Sequence, residues 1–215
     1  MRAYAREPIN GFTHLAGAIL SFAGLLALVI KTTLTSPTVI DITAVIIFGI
    51  SMVLLYSASA TYHLVVASDK VISFLRKIDH SMIFILIAGS YTPFCLISLE
   101  GHNGWITFAI VSAIAICGVL FKMIWFNCPR WISTSVYIGM GWISVFIVIP
   151  LYKSIALGGI LLLLAGGILY TIGAVIYGLK PKSLKFKKLG FHEIFHIFIL
   201  LGSLCHFIAV FEYVI

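Results

Sequence analysis

Charge is scarce in this chain of 215 residues. Asp, Glu, Lys and Arg make up 10% of it and only seven residues are acidic, while 61% are hydrophobic and the mean hydropathy is +1.15. A soluble domain carries roughly 25% charged residues. Too little polar surface exists here to cover a globule in water, so lipid must replace water over most of the exterior. Cysteine is also sparse: Cys95, Cys117, Cys128 and Cys205 fall in or beside apolar runs with no CxxC spacing. Free thiols are expected, and no disulfide framework is implied. Also missing are the alternating segments of about 10 residues that a transmembrane barrel requires. There is no soluble domain, low-complexity tract or clear internal repeat. The first apolar run follows Arg2 and Arg6 but is too long for a cleaved signal and lacks a small-residue cleavage site. It is expected to stay as a signal anchor.

What the chain does have is a series of apolar runs of about 20 residues, the length a helix needs to cross a ~30 Å hydrocarbon core. The runs cover 11–31, 41–66, 78–98, 104–126, 132–150, 155–179 and 192–213. Polar or breaker clusters at 31–41, 68–77, 100–104, 127–130, 150–154 and 180–190 divide them. The expected fold is an all-α integral membrane protein, one seven-transmembrane-helix domain over 1–215. Gly158, Gly159, Gly166, Gly167 and Gly173 in the sixth run predict close helix packing.

Seven crossings put the N-terminus on the same side as loops 2–3, 4–5 and 6–7. That side collects Arg2, Arg6, Lys70, Arg76, Lys77, Lys122, Arg130, Lys180, Lys182, Lys185, Lys187 and Lys188, and leaves only Lys31 and Lys153 opposite. The bias predicts a cytoplasmic N-terminus and an outside C-terminus. The +7 net charge is therefore mostly a topology signal. The lysines of 180–188 can meet anionic head groups. No basic face stands apart from the loops, so no nucleic-acid partner is expected.

Ionisable groups inside spans are costly and carry the functional information. The last span opens with His192-Glu193-Ile194-Phe195-His196. Histidines four apart share a helix face, and HExxH matches the zinc-protease pattern. Packed or interfacial histidines are the alternative. Catalytic zinc takes three protein ligands and keeps a position open. The topology nominates where the third comes from, since His63 ends the second span, Asp79 begins the third and His192 begins the last, all at one leaflet. Ser59 lies four residues before His63, on its face.

At this point the residues resemble a family. Glu7-Pro8-Ile9-Asn10-Gly11-Phe12-Thr13-His14-Leu15-Ala16-Gly17 is similar to the first-helix signature of the progestin and adipoQ receptor (PAQR) superfamily. So are Ser59-x-x-x-His63, Asp79-His80-Ser81, and His192-x-x-x-His196 with His206 ten residues on. The short termini, the 88–94 string and the HExxH form resemble its bacterial hemolysin III branch, and the resemblance covers essentially the whole chain. It implies seven helices with a cytoplasmic N-terminus and a zinc ion held by three histidines, here His63, His192 and His196. It further implies that Asp79 contacts the metal through water and that Ser59 lines the site. The superfamily includes alkaline ceramidases, which implies a lipid-directed hydrolase in a bacterial cytoplasmic membrane. The chain departs from the eukaryotic receptors at Glu193 and in lacking their long N-terminal domain, so hormone binding is not carried over.

Chemically the set suits a metal hydrolase. Zinc activates water and polarises a carbonyl; Asp79 is placed to accept and return a proton; Ser59 can bind the substrate carbonyl or orient His63. Glu193 is either an alternative base or a carboxylate favoured at a helix N-terminus. His206, about 15 Å deeper than His196, is expected in a hydrogen-bonded interior role. His14 is read either as a ligand or as a hydrogen-bonded interior residue, His80 either as part of the site or as packed beside another helix, and His102 is expected in solvent. Pro93 predicts a kink. Three functional readings stand: a zinc-dependent lipid hydrolase, a non-enzymatic regulator of membrane state with structural zinc, and a membrane-permeabilising hemolysin. Membrane lipid is the expected substrate or ligand.

Overall fold

The computed structural model of the chain describes residues 5–35, 37–99, 101–181 and 189–215, which form helices joined by short connections. Arg2, Glu100, Lys182, Lys185, Lys187 and Lys188 lie outside the described residues. Helix α1 spans Pro8–Thr33, with proline in the first turn, where a missing N–H is harmless. Helix α2, Val39–Leu64, opens on a reciprocal cap. Thr38 Oγ1 accepts from the Asp41 backbone N–H at 3.2 Å, and Asp41 Oδ2 accepts from the Thr38 N–H at 2.7 Å. Helix α3, Asp69–Pro93, runs into a π turn at Phe94–Ser98. Gly101, at φ 70°, then turns the chain into α4, His102–Ile124.

Helix α5, Arg130–Gly141, continues as a 3₁₀ turn at Trp142–Phe146 and then α6, Val148–Ser154. Helices α7, Leu157–Leu179, and α8, Phe191–Tyr213, complete the order. Among the described residues six helices are long and apolar enough to cross a membrane, and the pair Arg130–Phe146 and Val148–Ser154, bent by 53°, makes a seventh if it counts as one span.

Two boundaries differ from the sequence expectation. The third span was expected to begin at 78, but α3 starts at Asp69, so most of the 68–77 divider is helical. Asp69, Lys70, Arg76 and Lys77 lower hydropathy without opposing helix; the apolar run marks only the part that can sit in hydrocarbon. The fifth span was expected to be continuous over 132–150 with a divider at 150–154. The α-helix instead breaks into a 3₁₀ turn after Gly141, the 53° bend falls at Ile147, and Pro150 lies within α6.

The Tyr91 hydroxyl supports that break. It accepts from the Ser144 backbone N–H at 2.7 Å and donates toward the Met140 and Gly141 carbonyls, satisfying groups that a continuous helix would have paired. At Pro93 the α geometry gives way to the π turn, the form the expected distortion takes.

The helices pack in a ring in the order α1, α2, α3, α5, α7, α8 and back to α1, with α4 outside it against α3 and the π turn. Large apolar side chains such as Phe12, Leu20 and Ile124 face outward, as lipid-facing residues do. The α7 glycines meet α8. A Cβ at Gly158 or Gly159 would press on Tyr213, at Gly166 on His206, and at Gly173 on Phe198, while Gly167 has nothing within 4 Å. All four cysteines are free thiols.

Candidate metal centre

His63 lies in the last turn of α2, while His192 and His196 occupy the first two turns of α8. The ring packing of α1, α2 and α8 brings these ends together. One ligand-capable atom from each of the three imidazoles lies within 4.8 Å of the others, and the ring centroids are 4.8–5.1 Å apart. His63 and His196 are buried, and His63 Nε2 and His196 Nδ1 have no hydrogen-bond partner. Burying unpaired imidazole nitrogens is costly unless something binds them. Three imidazole nitrogen donors suit a zinc-like ion, and the residues present fit it.

The first-helix string builds the surroundings of this triad residue by residue. Glu7 precedes α1; its backbone N–H donates to the His63 carbonyl at 2.9 Å, and its Oε2 lies 2.5 Å from His63 Nδ1. A proton on Nδ1 leaves the Nε2 lone pair free for a metal, the arrangement in which a carboxylate orients a ligating histidine. Burial pushes the Glu7 carboxyl up, but the hydrogen bond and charge of His63, with Arg6, outweigh it and hold the group below its usual value. Arg6 donates to the Tyr62 carbonyl at 2.7 Å and stacks 4.2 Å from the Tyr62 ring centroid, so it caps the carbonyl end of α2.

Asn10 Nδ2 donates to Glu193 Oε1 at 2.9 Å, and the Gly190 N–H donates to Glu193 Oε2 at 2.8 Å. Both Glu193 oxygens are thus engaged at the start of α8, where a carboxylate also meets the favourable helix dipole. Any Cβ at Gly11 would overlap Leu64, so glycine lets α1 approach α2 beside His63. His14 stacks on His196 with centroids 3.7 Å apart and planes 13° from parallel, and neither His14 nitrogen has a hydrogen-bond partner.

His192 and His196 of the triad stand at one end of a cavity of about 140 Å³ inside the ring, which His63 does not line. Asp79 and Ser59 line it with His14, His192 and His196. From His192 the lining extends along α8 to His206, about 20 Å at helical rise. Its walls are mostly apolar, including Leu86, Phe94, Ile147 and Leu163, and α4 contributes nothing. His206 Nε2 bonds the Leu163 carbonyl at 3.2 Å, far from the triad. His80 meets the Phe126 and Tyr177 rings and also lines this cavity. His102 is exposed.

Sequence reasoning singled out the triad, Asp79 and Ser59 but gave Glu7 and Asn10 no role. A carboxylate and an amide beside the first span, in a chain with seven acids, were the signal available for them.

Comparison with known proteins accords with this architecture. The family model described as "Haemolysin-III related" matches residues 2–207. Hemolysin-3 of Bacillus cereus is 41% identical over 219 aligned positions, covering 100% of this chain and 95% of that protein. The hemolysin-3 homolog of Bacillus subtilis (strain 168) is 39% identical over 208, covering 96% and 93%. More distantly, the human monocyte to macrophage differentiation factor is 23% identical over 181, covering 78% and 68%. With its helical membrane architecture and full-length similarity to these bacterial proteins, the chain belongs to the haemolysin-III-related family, the hemolysin III branch of the PAQR superfamily.

Proposed function

We propose that this protein is a zinc-dependent hydrolase that cleaves an amide or ester bond of a lipid reached from within the membrane. The observation that carries the reading is the cluster of three histidines, two of which, His192 and His196, line a long apolar cavity together with Asp79 and Ser59. The bundle crosses the bacterial cytoplasmic membrane seven times, with the bent α5–α6 pair as the fifth crossing. The excess of Lys and Arg at the N-terminal end supports a cytoplasmic orientation for it.

His63, His192 and His196 would hold the zinc, which when bound polarises a carbonyl and lowers the pKa of water. Glu7 keeps His63 in the tautomer and orientation for binding. Asp79 accepts a proton from water and returns it to the leaving amine or alkoxide. Ser59 hydrogen-bonds the substrate carbonyl or holds the Asp79 carboxyl in place. The apolar walls take the acyl chain and exclude bulk water. In this reading Glu193 caps α8 and takes no part in proton transfer.

Purified protein with zinc, assayed against ceramides and phospholipids, should release fatty acid. Asp79→Ala should abolish release while leaving zinc content unchanged; full activity in that variant would sink the mechanism. The contacts tying α1, α2 and α8 around the triad support a second reading, in which zinc is structural and the protein regulates membrane state. Under that reading no substrate is turned over, and a fluidity phenotype survives Asp79→Ala but not loss of the histidines.

A further inference from the structure

A second pocket, of about 190 Å³, opens at the same end of the bundle, between α3, α4 and α5. Its lining includes Arg76, Lys122 and Arg130 and not one carboxylate. Lys122 is 3% exposed, and among the described residues its ammonium meets the Ser133 hydroxyl and, at 3.5 Å, the Cys128 sulfur, with no carboxylate beside it. The other two cations are held by rings. Arg76 lies 5.1 Å from the Phe126 centroid, with Lys122 5.7 Å from the same ring, and Arg130 lies 5.1 Å from Tyr177. Among the described residues none of the three forms an ion pair, and Asp79, the nearest acid along α3, lines the other cavity.

Gathering three positive charges, one of them buried, is strongly unfavourable without an anion. Four acids in the chain fall at this end of the bundle: Glu7 and Glu193 are engaged elsewhere, and neither Asp69 nor Asp79 lines the pocket. A water needs roughly 10–15 Å³ of such space, so the pocket is large enough for a tetrahedral oxyanion with its hydration. Forked guanidiniums, a lysine and a hydroxyl are the donors that recognise phosphate. Basic pockets between membrane helices on the cytoplasmic side bind phosphate-bearing head groups.

We infer that Arg76, Lys122, Arg130 and Ser133 form a phosphate-binding site, separate from the histidine triad. The phosphate comes either from an anionic phospholipid of the adjoining leaflet or from solution. His80 and Tyr177 line both this pocket and the triad cavity, so a phospholipid held here by its phosphate has its glycerol and acyl ester region beside that cavity. The binding claim does not depend on hydrolysis.

The test uses the full chain, zinc-loaded, in nanodiscs of phosphatidylcholine with or without phosphatidylglycerol. Retained lipid is counted by native mass spectrometry, and thermal unfolding is followed with inorganic phosphate in phosphatidylcholine alone. Wild type should retain phosphatidylglycerol at least tenfold over phosphatidylcholine, or, if the source is soluble, rise in Tm with phosphate. Arg76→Gln and Lys122→Gln should remove that preference or that rise, and Arg76→Lys should keep most of it. Arg76 is half-exposed at the pocket, so its variants remain informative if Lys122→Gln fails to fold; zinc content reports folding in each. Wild type that binds neither probe, or binding unchanged in Arg76→Gln, overturns the site. Loss of lipid hydrolysis with phosphate binding intact would fault the hydrolase reading alone.

Discussion

His63 Nδ1 stands 2.5 Å from Glu7 Oε2, across 56 positions of sequence. The contact fixes the ring that links α2 to α8, and it ties the segment before α1 to the same point. Among the described residues Glu7 is the carboxylate hydrogen-bonded to a histidine of the triad.

Replacing Glu7 with Gln should weaken zinc binding by about 10–100-fold, the usual effect of removing the carboxylate behind a metal-ligating histidine. Competition with a chromophoric chelator measures this. An unchanged zinc affinity, with the fold intact, would show that the carboxylate does not orient His63.

The pair His192→Ala and His196→Ala should abolish stoichiometric metal in the purified protein, because each removes one of the three nitrogen donors that, among the described residues, come within 4.8 Å of one another. Elemental analysis beside wild type decides it. Equal metal in both would overturn the centre.

Glu193 separates a cap from a base. Glu193→Gln keeps a carbonyl oxygen for the Gly190 N–H, so zinc content and any hydrolase activity should stay within about threefold of wild type. Glu193→Ala loses both contacts and should cost about 0.5–2 kcal/mol, typical of a lost helix cap. A collapse of activity in the Gln variant with stability retained would return Glu193 to the chemistry.

Tyr91→Phe should destabilise the bundle by about 1–3 kcal/mol, because the Ser144 N–H and the carbonyls at the α5 break lose their partner in an apolar setting. Thermal unfolding in detergent reads it. No change in Tm would mean that those groups pair elsewhere.

Two glycines should respond oppositely to alanine. A Cβ at Gly104 would run into the Cys95 carbonyl, a backbone atom that cannot step aside, so Gly104→Ala should cost about 1–3 kcal/mol. Gly167 has open space around it, and Gly167→Ala should be neutral or stabilising by up to about 1 kcal/mol. The same unfolding assay compares them.

The sequence was enough to identify a helical membrane protein, because scarce charge and 20-residue apolar runs are properties of composition and order that no packing can reverse. It was enough, too, to nominate His63, His192, His196, Asp79 and Ser59, since an i, i+4 pair and the side of the membrane at which each span begins are one-dimensional facts. Helix limits were less legible. Hydropathy sees only what lipid covers, so Asp69 to Lys77 read as a loop, and the Gly141 break was invisible because a side chain on another helix, Tyr91, completes its hydrogen bonds.

Only the tertiary structure decided which polar groups face one another. Glu7 on His63, Asn10 on Glu193, His14 on His196, and Arg76, Lys122 and Arg130 around one pocket are all contacts between different segments. Their geometry follows from how the ring of helices closes, and a linear pattern holds no distance between residues that meet only after packing.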